Sequence, residues 1–298
     1  MKKKEKKKMG MRAKTLLGQS VLNFILFLLA AVMIVPFIYI VMVSFTDATV
    51  YEAGKFILWP EKWSLDAYEY VLTGSGFLDA LRSTLFITLI GTPLSVIFNA
   101  GLGYMLSKNT LPGRNILNKL VMFTMLFGAG MIPGYINMSN LGLINSLWAC
   151  ILPGACSAWN VMVMKSFFQG LPAELEEAAE IDGCGTLRIF TRIVLPLSKA
   201  MLATFTLFGA VSYWNTYFSA VMYITKTAML PLQVFLQKIV LASNISDVLD
   251  VASNLSTAVP EEITKMATVV VAVVPILCVY PFLQKHFAKG VMVGAVKG

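Results

Sequence analysis

The chain has 298 residues, of which 57% are hydrophobic and only 13% are charged, whereas a soluble domain carries about 25% charged residues. Its formal net charge is +8. This composition excludes an ordinary water-soluble domain and places the chain in a lipid bilayer. The four cysteines form no C-x-x-C pair and have no histidine at metal-ligand spacing, so neither a disulfide framework nor a zinc site is expected.

The N-terminal segment, residues 1–20, is strongly basic and precedes the first long apolar run. That run, residues 21–43, is longer than the apolar region of a signal peptide and has no small-residue cleavage site after it, so we expect an uncleaved anchor. A nucleic-acid-binding arm is the alternative for a run of lysines. Beside a membrane span, orientation of the chain and attraction to anionic lipid are favoured, and no nucleic-acid partner is expected.

Windows without charged residues predict the membrane spans, because a helix needs about 20 apolar residues to cross the hydrocarbon core. The longest window contains a polar, glycine-rich stretch at 134–146, which favours a turn between two helices. The predicted fold is therefore an all-α integral membrane protein with six transmembrane helices. These helices are expected near residues 21–45, 78–107, 117–138, 146–168, 199–223 and 265–284.

Basic residues are distributed unevenly between the two sides of this predicted topology. With the N-terminus inside, most of the 24 Lys and Arg residues lie on the side of the termini. The exceptions are Lys55, Lys62, Arg82, Lys226, Lys238 and Lys265. Because cytoplasmic loops carry the excess of Lys and Arg, we expect a multi-pass protein of the bacterial plasma membrane with both termini in the cytoplasm.

The predicted spans contain no Asp, Glu, Lys, Arg or His deep inside them. Ion-coupled transporters and voltage sensors usually need such intramembrane charge. The chain also has no G-x-x-x-x-G-K-[ST] nucleotide loop and no convincing nucleophile–base pair. We therefore expect a non-catalytic transport subunit that takes its energy from another polypeptide; a transporter or channel that works without ATP is the alternative.

A polar stretch between the fourth and fifth predicted spans, residues 169–198, is named here the acidic insert. Pro172 suits the first turn of a helix, and the glutamates that follow it suit the positive end of the helix dipole. Gly183 is a typical helix stop, a second short helix is expected over 186–193, and Pro196 is expected to start the fifth span. Such a surface helix either docks on a soluble partner or merely covers the bundle.

The motif within the acidic insert resembles the cytoplasmic loop of ABC importer permeases. Glu177-Ala178-Ala179 is followed by Gly183 and, after nine more residues, by Ile193-x-Leu195-Pro196, with Cys184 where the family usually has Ala. Other stretches are similar to the carbohydrate-uptake branch, in its maltose-like, MalG-type second transmembrane subunit. They are Gly103–Lys108, Ile132–Tyr135, Leu141–Ser146, Phe167–Pro172, Trp214-Asn215 and the tail 284–298, so the resemblance covers nearly all of the chain after about residue 20.

The resemblance implies a type I ABC importer transmembrane domain over 21–284, with its core at 78–284, and a cytoplasmic tail over 285–298. It implies four kinds of partner: a homologous second permease subunit, two ATPase subunits that use ATP and Mg²⁺, an extracytoplasmic solute-binding lipoprotein, and a sugar or oligosaccharide. No cofactor is expected on this chain. The residues implied at the ATPase are Glu177, Ala178, Ala179, Asp182, Gly183, Ile193, Leu195 and Pro196 in the coupling loop, and Gly290, Gly294 and Lys297 in the tail.

Aromatic and amide side chains within the spans are candidates for the solute pathway, since sugars bind to aromatic faces with hydrogen-bonding groups nearby. The candidates are Tyr213, Trp214, Asn215 and Tyr217 in the fifth span and Tyr135 and Asn160 in the third and fourth. Packing or membrane-interface roles remain open for each of them. A non-sugar solute is the alternative, because importers of peptides, amino acids and ions share the insert motif. The outer segments 46–77 and 226–263 either receive the binding protein or cap the bundle.

Overall fold

The computed structural model describes residues 2–241, 259–275 and 277–278. Regular structure in these ranges is helical, apart from one isolated antiparallel bridge between Thr46 and Trp63, which agrees with the predicted all-α class. The helices are α1 (Lys2–Ser44), α2 (Asp66–Thr73), α3 (Ser75–Ser107), α4 (Arg114–Leu126), α5 (Met131–Asn140), α6 (Trp148–Ile151), α7 (Ala158–Gln169), α8 (Glu174–Ile181), α9 (Thr186–Ile189), α10 (Leu195–Leu197), α11 (Lys199–Trp214), α12 (Phe218–Tyr223), α13 (Leu232–Leu241) and α14 (261–275). The candidate tail residues Gly290, Gly294 and Lys297 lie outside the described residues.

Two of these helices are long and apolar enough to cross a membrane without a partner helix. They are Gln19–Ser44, which is the second part of α1, and Gly76–Ser107, which is nearly all of α3. The helices predicted over 21–45 and 78–107 therefore agree with the structure to within a few residues.

The third predicted span, 117–138, is wrong as a single helix. It consists of α4 and α5, whose directions differ by 115° across a short break. Gly130, which caps α5, has φ +86°, a left-handed conformation that residues with a Cβ rarely adopt. The turn predicted at 134–146 is correspondingly too long, because α5 continues to Asn140.

The fourth and fifth predicted spans are also interrupted. Within 146–168, a 3₁₀ turn at Leu152–Gly154 separates α6 from α7. Within 199–223, the non-helical residues 215–217 separate α11 from α12. If each bent helix pair is counted as one span, the described residues contain up to four candidate spans. The six-span topology therefore stays a prediction.

The chain divides into two compact units. The first is drawn from residues 1–73 and 252–271, and the second from residues 74–251 and 272–298. In the first unit, the loop after α1 is organised by Asp47, whose carboxylate pairs with Lys62 Nζ at 2.7 Å and accepts hydrogen bonds from the N–H and hydroxyl of Thr49 at 2.8 and 2.5 Å. These interactions, with the Lys62 hydrogen bond the largest, lower the pKa of Asp47 from 3.8 to about 2.

In the second unit, α3 is the central helix and packs against α7 and α11. Glycines make this close approach possible. A Cβ added at Gly91 would lie 2.8 Å from the ring of Tyr213 on α11, and one added at Gly103 would lie 3.1 Å from backbone atoms of α7. Small residues at such positions let helix backbones come together in membrane proteins.

Candidate functional site

The acidic insert contains the predicted helix with its glycine stop. Helix α8 spans Glu174–Ile181 and has three glutamates in its first turn, where they interact favourably with the helix dipole. Gly183 follows with φ +76°, and the next N–H, of Cys184, donates to the carbonyl of Ala179 at 2.9 Å. The left-handed glycine thus satisfies carbonyls at the helix end, as predicted. The expectation that Pro172 lies in the first turn is wrong, because α8 begins at Glu174, after the capping residue Ala173.

The two faces of α8 have different surroundings. Ala179 is 7% exposed and belongs to an apolar cluster with Met164, Phe168 and Ile189. Ala178, one residue earlier, is exposed. The Glu177-Ala178-Ala179 motif is therefore divided between a face that packs on the bundle and a face that its own chain leaves uncovered.

The outer face continues with exposed residues at the helix end. Glu177, Asp182 and Gly183 are exposed, and no atom lies within 4 Å of a Cβ added at Gly183. Exposed apolar side chains flank them, since Ile181 is 87% exposed and Leu187 on α9 is 76% exposed. Sequence reasoning missed these two residues, although large apolar residues in a short polar loop were a signal for a covered surface.

The part of the acidic insert that follows Gly183 is named here the return segment, and its structure differs from the prediction. The second helix expected over 186–193 is shorter as an α-helix, ending at Ile189, and the chain continues through a π-helical turn at Phe190–Val194 into α10. The sharp bend, 84°, falls between α10 and α11. The expectation that Pro196 starts the fifth span is wrong, because Pro196 lies in the first turn of α10, before the bend.

The motif residues of this return segment differ in their exposure. Ile193 and Leu195 are half-buried, and Ile193 packs against the apolar cluster that contains Ala179. Pro196 is exposed. A groove of about 580 Å³ lies beside them, lined by Gly185, Thr186, Leu187, Arg188, Thr191 and Arg192.

Of the candidates in the predicted fifth span, Tyr213 and Trp214 are buried. The Tyr213 ring lies against Gly91, and its hydroxyl donates to the carbonyl of Ile151 at 3.0 Å. Tyr213 therefore joins α3, α6 and α11 through packing and one buried hydrogen bond.

Asn215 and Tyr217 lie in an exposed polar group with α13. Asn215 Oδ1 accepts a hydrogen bond from Gln233 Nε2 at 3.1 Å, and Tyr217 hydrogen-bonds to Gln237. Sequence reasoning missed both glutamines. Their spacing of four residues, which places them on one helix face, was the available signal.

The two remaining solute-path candidates lie elsewhere in the described structure. Tyr135 stacks on Tyr223 with 6.2 Å between ring centroids. Asn160 is half-buried in the first turn of α7, where its N–H faces the capping hydroxyl of Ser157 at 3.5 Å. Within the described residues, neither side chain hydrogen-bonds to or stacks on the polar group of Asn215 and Tyr217.

Known proteins are similar to this chain over almost its full length. Residues 9–293 match the family model described as "binding-protein-dependent transport system inner membrane component". The polygalacturonan/rhamnogalacturonan transport system permease protein YtcP of Bacillus subtilis (strain 168) is 46% identical, with 92% of this chain and 96% of that protein covered. Protein LplC of the same organism is 45% identical, with 92% and 93% covered.

A solved structure shares both fold and sequence with this chain. It is described as the crystal structure of a bacterial ABC transporter involved in the import of the acidic polysaccharide alginate. The TM-score is 0.82 and the identity 33%, with 90% of this chain and 96% of that chain covered. Together with the family match, this likeness favours an ATP-driven importer over the transporter that works without ATP. The chain belongs to the family of binding-protein-dependent transport system inner membrane components and is a non-catalytic permease subunit of an ABC importer.

Proposed function

We propose that this permease imports an oligosaccharide that carries uronate groups. The observation that carries the proposal is the 46% identity, over nearly the whole of both chains, to a permease named for polygalacturonan and rhamnogalacturonan. The similar solved transporter is named for alginate, which its description also calls an acidic polysaccharide. Relatives named for arabinooligosaccharides and maltodextrin are 28% and 29% identical, so a neutral oligosaccharide is the second candidate.

The assembly we infer has four kinds of protein. An extracytoplasmic lipoprotein delivers the oligosaccharide, and a homologous second permease subunit completes the pathway. Two copies of a separate ATPase hydrolyse ATP with Mg²⁺, and this chain binds no cofactor. The chain crosses the plasma membrane several times with both termini in the cytoplasm, as the distribution of Lys and Arg favours. Nucleotide binding shifts the population between outward-open and inward-open states.

The outer face of α8 is the surface that we assign to the ATPase. It combines small residues, which permit close approach, with the exposed side chain of Ile181, and Leu187 on the neighbouring α9 is exposed as well. Large exposed apolar side chains grouped with polar residues mark interaction surfaces. The inner face, with Ala179, attaches α8 to the bundle, so that a force on the outer face reaches the helices of the second unit.

The polar group of Asn215, Tyr217, Gln233 and Gln237 is the solute contact that we infer for this subunit. Amide and phenol groups both donate and accept hydrogen bonds, which suits the hydroxyl groups of a sugar. Asn215 and Tyr217 lie between α11 and α12, where the helix is interrupted, and Gln233 and Gln237 lie on α13. In membranes, interrupted backbone is tolerated where it is buried in protein or lines a water-filled cavity.

Uptake into proteoliposomes tests the substrate class. The complete importer with its binding protein is reconstituted, and ATP-driven uptake of trigalacturonate is compared with that of maltotriose. We expect uptake of trigalacturonate to exceed that of maltotriose. If maltotriose is taken up faster, the substrate is a neutral oligosaccharide. If neither sugar is taken up although the ATPase is active, a non-sugar solute is favoured.

A matched pair of variants tests the solute contact. Gln237→Leu removes a polar side chain from the proposed group, while Asn140→Leu removes an exposed amide at the end of α5. We expect Gln237→Leu to raise the half-saturating concentration for uptake and Asn140→Leu to leave it unchanged, at equal ATPase co-purification. Equal values for the two variants would remove the polar group from the solute pathway.

A further inference from the structure

One carboxylate of α8 is oriented differently from the others. Glu174, Glu177 and Glu180 are exposed, whereas the Glu176 side chain is 14% exposed. The Glu176 carboxylate belongs to the inner face of the helix, together with Ala179. It is not part of the Glu177-Ala178-Ala179 motif, and the outer face does not need it.

The partners of Glu176 come from the end of α3: Tyr104 lies in its last turn, and Lys108 is the residue that caps it. The Tyr104 hydroxyl donates to Glu176 Oε2 at 2.8 Å, and Lys108 Nζ contacts the same oxygen as an ion pair. Lys108 follows the last helical residue and has extended backbone angles, φ −75° and ψ 126°. The ammonium group of Lys108 also lies 4.4 Å from the centroid of the Tyr104 ring, a cation–π contact that fixes the two donors relative to each other.

The Tyr104 ring is itself held in place by its neighbours. It is 5% exposed, stacks on Phe190 with 4.7 Å between centroids, and meets the edge of Phe168 at 5.8 Å. Phe190 begins the π-helical turn of the insert, and Phe168 lies on α7. The donor is therefore preorganised, and a carboxylate with little exposure is stabilised by such charge-assisted partners.

The contact connects the insert to the centre of the second unit. From Tyr104, α3 continues through Pro93 to Gly91, a distance of about 20 Å along the helix at 1.5 Å per residue. There the Tyr213 ring of α11 lies against the Gly91 backbone. A displacement of α8 that moves Tyr104 therefore acts on the same helix that carries the α3–α11 contact.

We propose that Glu176 is a positioning residue for transport, which binds α8 to the end of α3 through Tyr104 and Lys108 so that the two helices move as one body. The inference rests on the proposed role of α8 at the ATPase. It adds the polar contact of the Glu176 carboxylate to the apolar packing of Ala179 as a means of transmitting the movement. Without the contact, the ATPase still binds α8 and hydrolyses ATP, but α3 no longer follows.

The test measures the distance between the two helices in the complete importer. Spin labels are attached at Leu89→Cys on α3 and Glu180→Cys on α8, both exposed positions, in a chain without its native cysteines. Distances are measured without nucleotide and after vanadate trapping. In the otherwise unchanged chain and in the control Glu174→Gln, we expect one narrow distribution that is the same in both states. In Glu176→Gln we expect a broadened distribution whose mean shifts on trapping by about 3 Å, the rise of two helical residues, or more.

Further variants separate loss of the contact from loss of folding. Tyr104→Phe removes the hydroxyl and keeps the ring, and we expect a smaller broadening. The charge exchange Glu176→Lys with Lys108→Glu restores an ion pair, and we expect it to narrow the distribution again and to recover uptake per ATP hydrolysed. Equal, unshifted distributions in Glu176→Gln and Glu174→Gln would overturn the proposal.

The role of α8 at the ATPase has its own readout. Ala178→Arg places a large charge on the outer face and is expected to abolish co-purification of the ATPase. If the ATPase still co-purifies, the docking surface is wrong. The nucleotide-free distance distributions of Glu176→Gln and Glu174→Gln would then still decide whether Glu176 binds α8 to α3.

Discussion

The centre of the second unit and the acidic insert are held together in different ways. Around α3, neighbouring helices approach closely, as where the Gly103 backbone lies against the backbone of α7 and the Tyr213 ring lies against Gly91. The insert is attached by a few inner-face contacts, chiefly Ala179 in an apolar cluster and Glu176 with α3, and its outer face is left uncovered. Alanine and glycine occur in both regions, but their roles depend on whether the same chain covers them.

Because of this difference, the effects on folding and on docking can be told apart by making the same substitution at a covered and at an uncovered position. A substitution at a covered position changes stability, whereas the same substitution at an uncovered position changes partner binding. The chain offers such pairs for alanine and for glycine.

The largest effect is expected for Ala179→Asp compared with Ala178→Asp. Ala179 is 7% exposed among apolar side chains, so an aspartate there buries a charge at a cost of several kcal/mol. Ala178 is exposed, so Ala178→Asp is expected to preserve thermal stability in detergent and to lose the ATPase. Thermal unfolding and ATPase co-purification are measured on both variants. If Ala178→Asp unfolds as readily as Ala179→Asp, the two-faced description of α8 is wrong.

Glycines in α3 provide the second pair. Gly91→Ala would place a Cβ 2.8 Å from the Tyr213 ring, which cannot easily withdraw because its hydroxyl is bonded to Ile151. We expect a loss of about 1–3 kcal/mol from overpacking. Gly101 has no atom within 4 Å of an added Cβ, so Gly101→Ala should stabilise the helix by about 0.5–1 kcal/mol. Opposite shifts in melting temperature are expected, and shifts of the same sign would contradict the α3–α11 contact.

The third pair lies at the end of α8. Gly183 has φ +76°, and Gly185, two residues later, has φ −73°; neither has an atom within 4 Å of an added Cβ. Gly183→Ala is therefore opposed only by backbone strain, which costs about 1 kcal/mol. We expect it to weaken ATPase binding, because it changes the end of the docking helix. Gly185→Ala should be nearly neutral. Titration of the ATPase onto the reconstituted permease distinguishes them, and equal affinities would mean that the left-handed turn does not shape the surface.

The sequence was sufficient to predict the features that depend on local chemistry. The acidic first turn and Gly183 predicted α8 and its end, and charge-free windows predicted the helices now seen as α1 and α3. The break before α5 was missed because it depends on the backbone conformation of Gly130, φ +86°. Glycine in an apolar run is equally compatible with a continuous helix.

Tertiary contacts were beyond the sequence. Nothing in the Glu177-Ala178-Ala179 pattern shows that Ala179 packs inward while Ala178 is exposed, since this depends on how α8 lies against α7 and the return segment. The partners of Glu176 are 68 and 72 residues away in the chain. The polar group of the proposed solute contact was recognised only in part. Gln233 and Gln237 belong to α13, which contacts Asn215 and Tyr217 only in the folded chain.

The smallest effect is expected for the ion pair in the loop after α1, because this pair holds an exposed loop and not a helix. Asp47 pairs with Lys62, whose side chain is 59% exposed, so solvent screens the pair. The pKa of Asp47 is lowered to about 2 in the folded loop from 3.8. The ionised Asp47 carboxylate therefore contributes fully to the stability of the folded loop above about pH 4, and this contribution is lost as the pH falls toward 2. Amide exchange of the 46–65 peptide, corrected for the intrinsic rate, should show protection that decreases over this range.

Asp47→Asn is the control for this titration. The amide still accepts the hydrogen bonds from Thr49 but has no charge to pair with Lys62, so we expect slightly lower protection near neutral pH and no dependence on pH between about 4 and 2. Glu61→Gln removes a neighbouring carboxylate whose contact with Lys55, at 3.6 Å, is more exposed, and it should retain the pH dependence of the unsubstituted chain. If Asp47→Asn still loses protection below pH 4, another group organises the loop. The contrast between a screened pair here and the less exposed Glu176 pair at α8 would then rest on the α8 measurements alone.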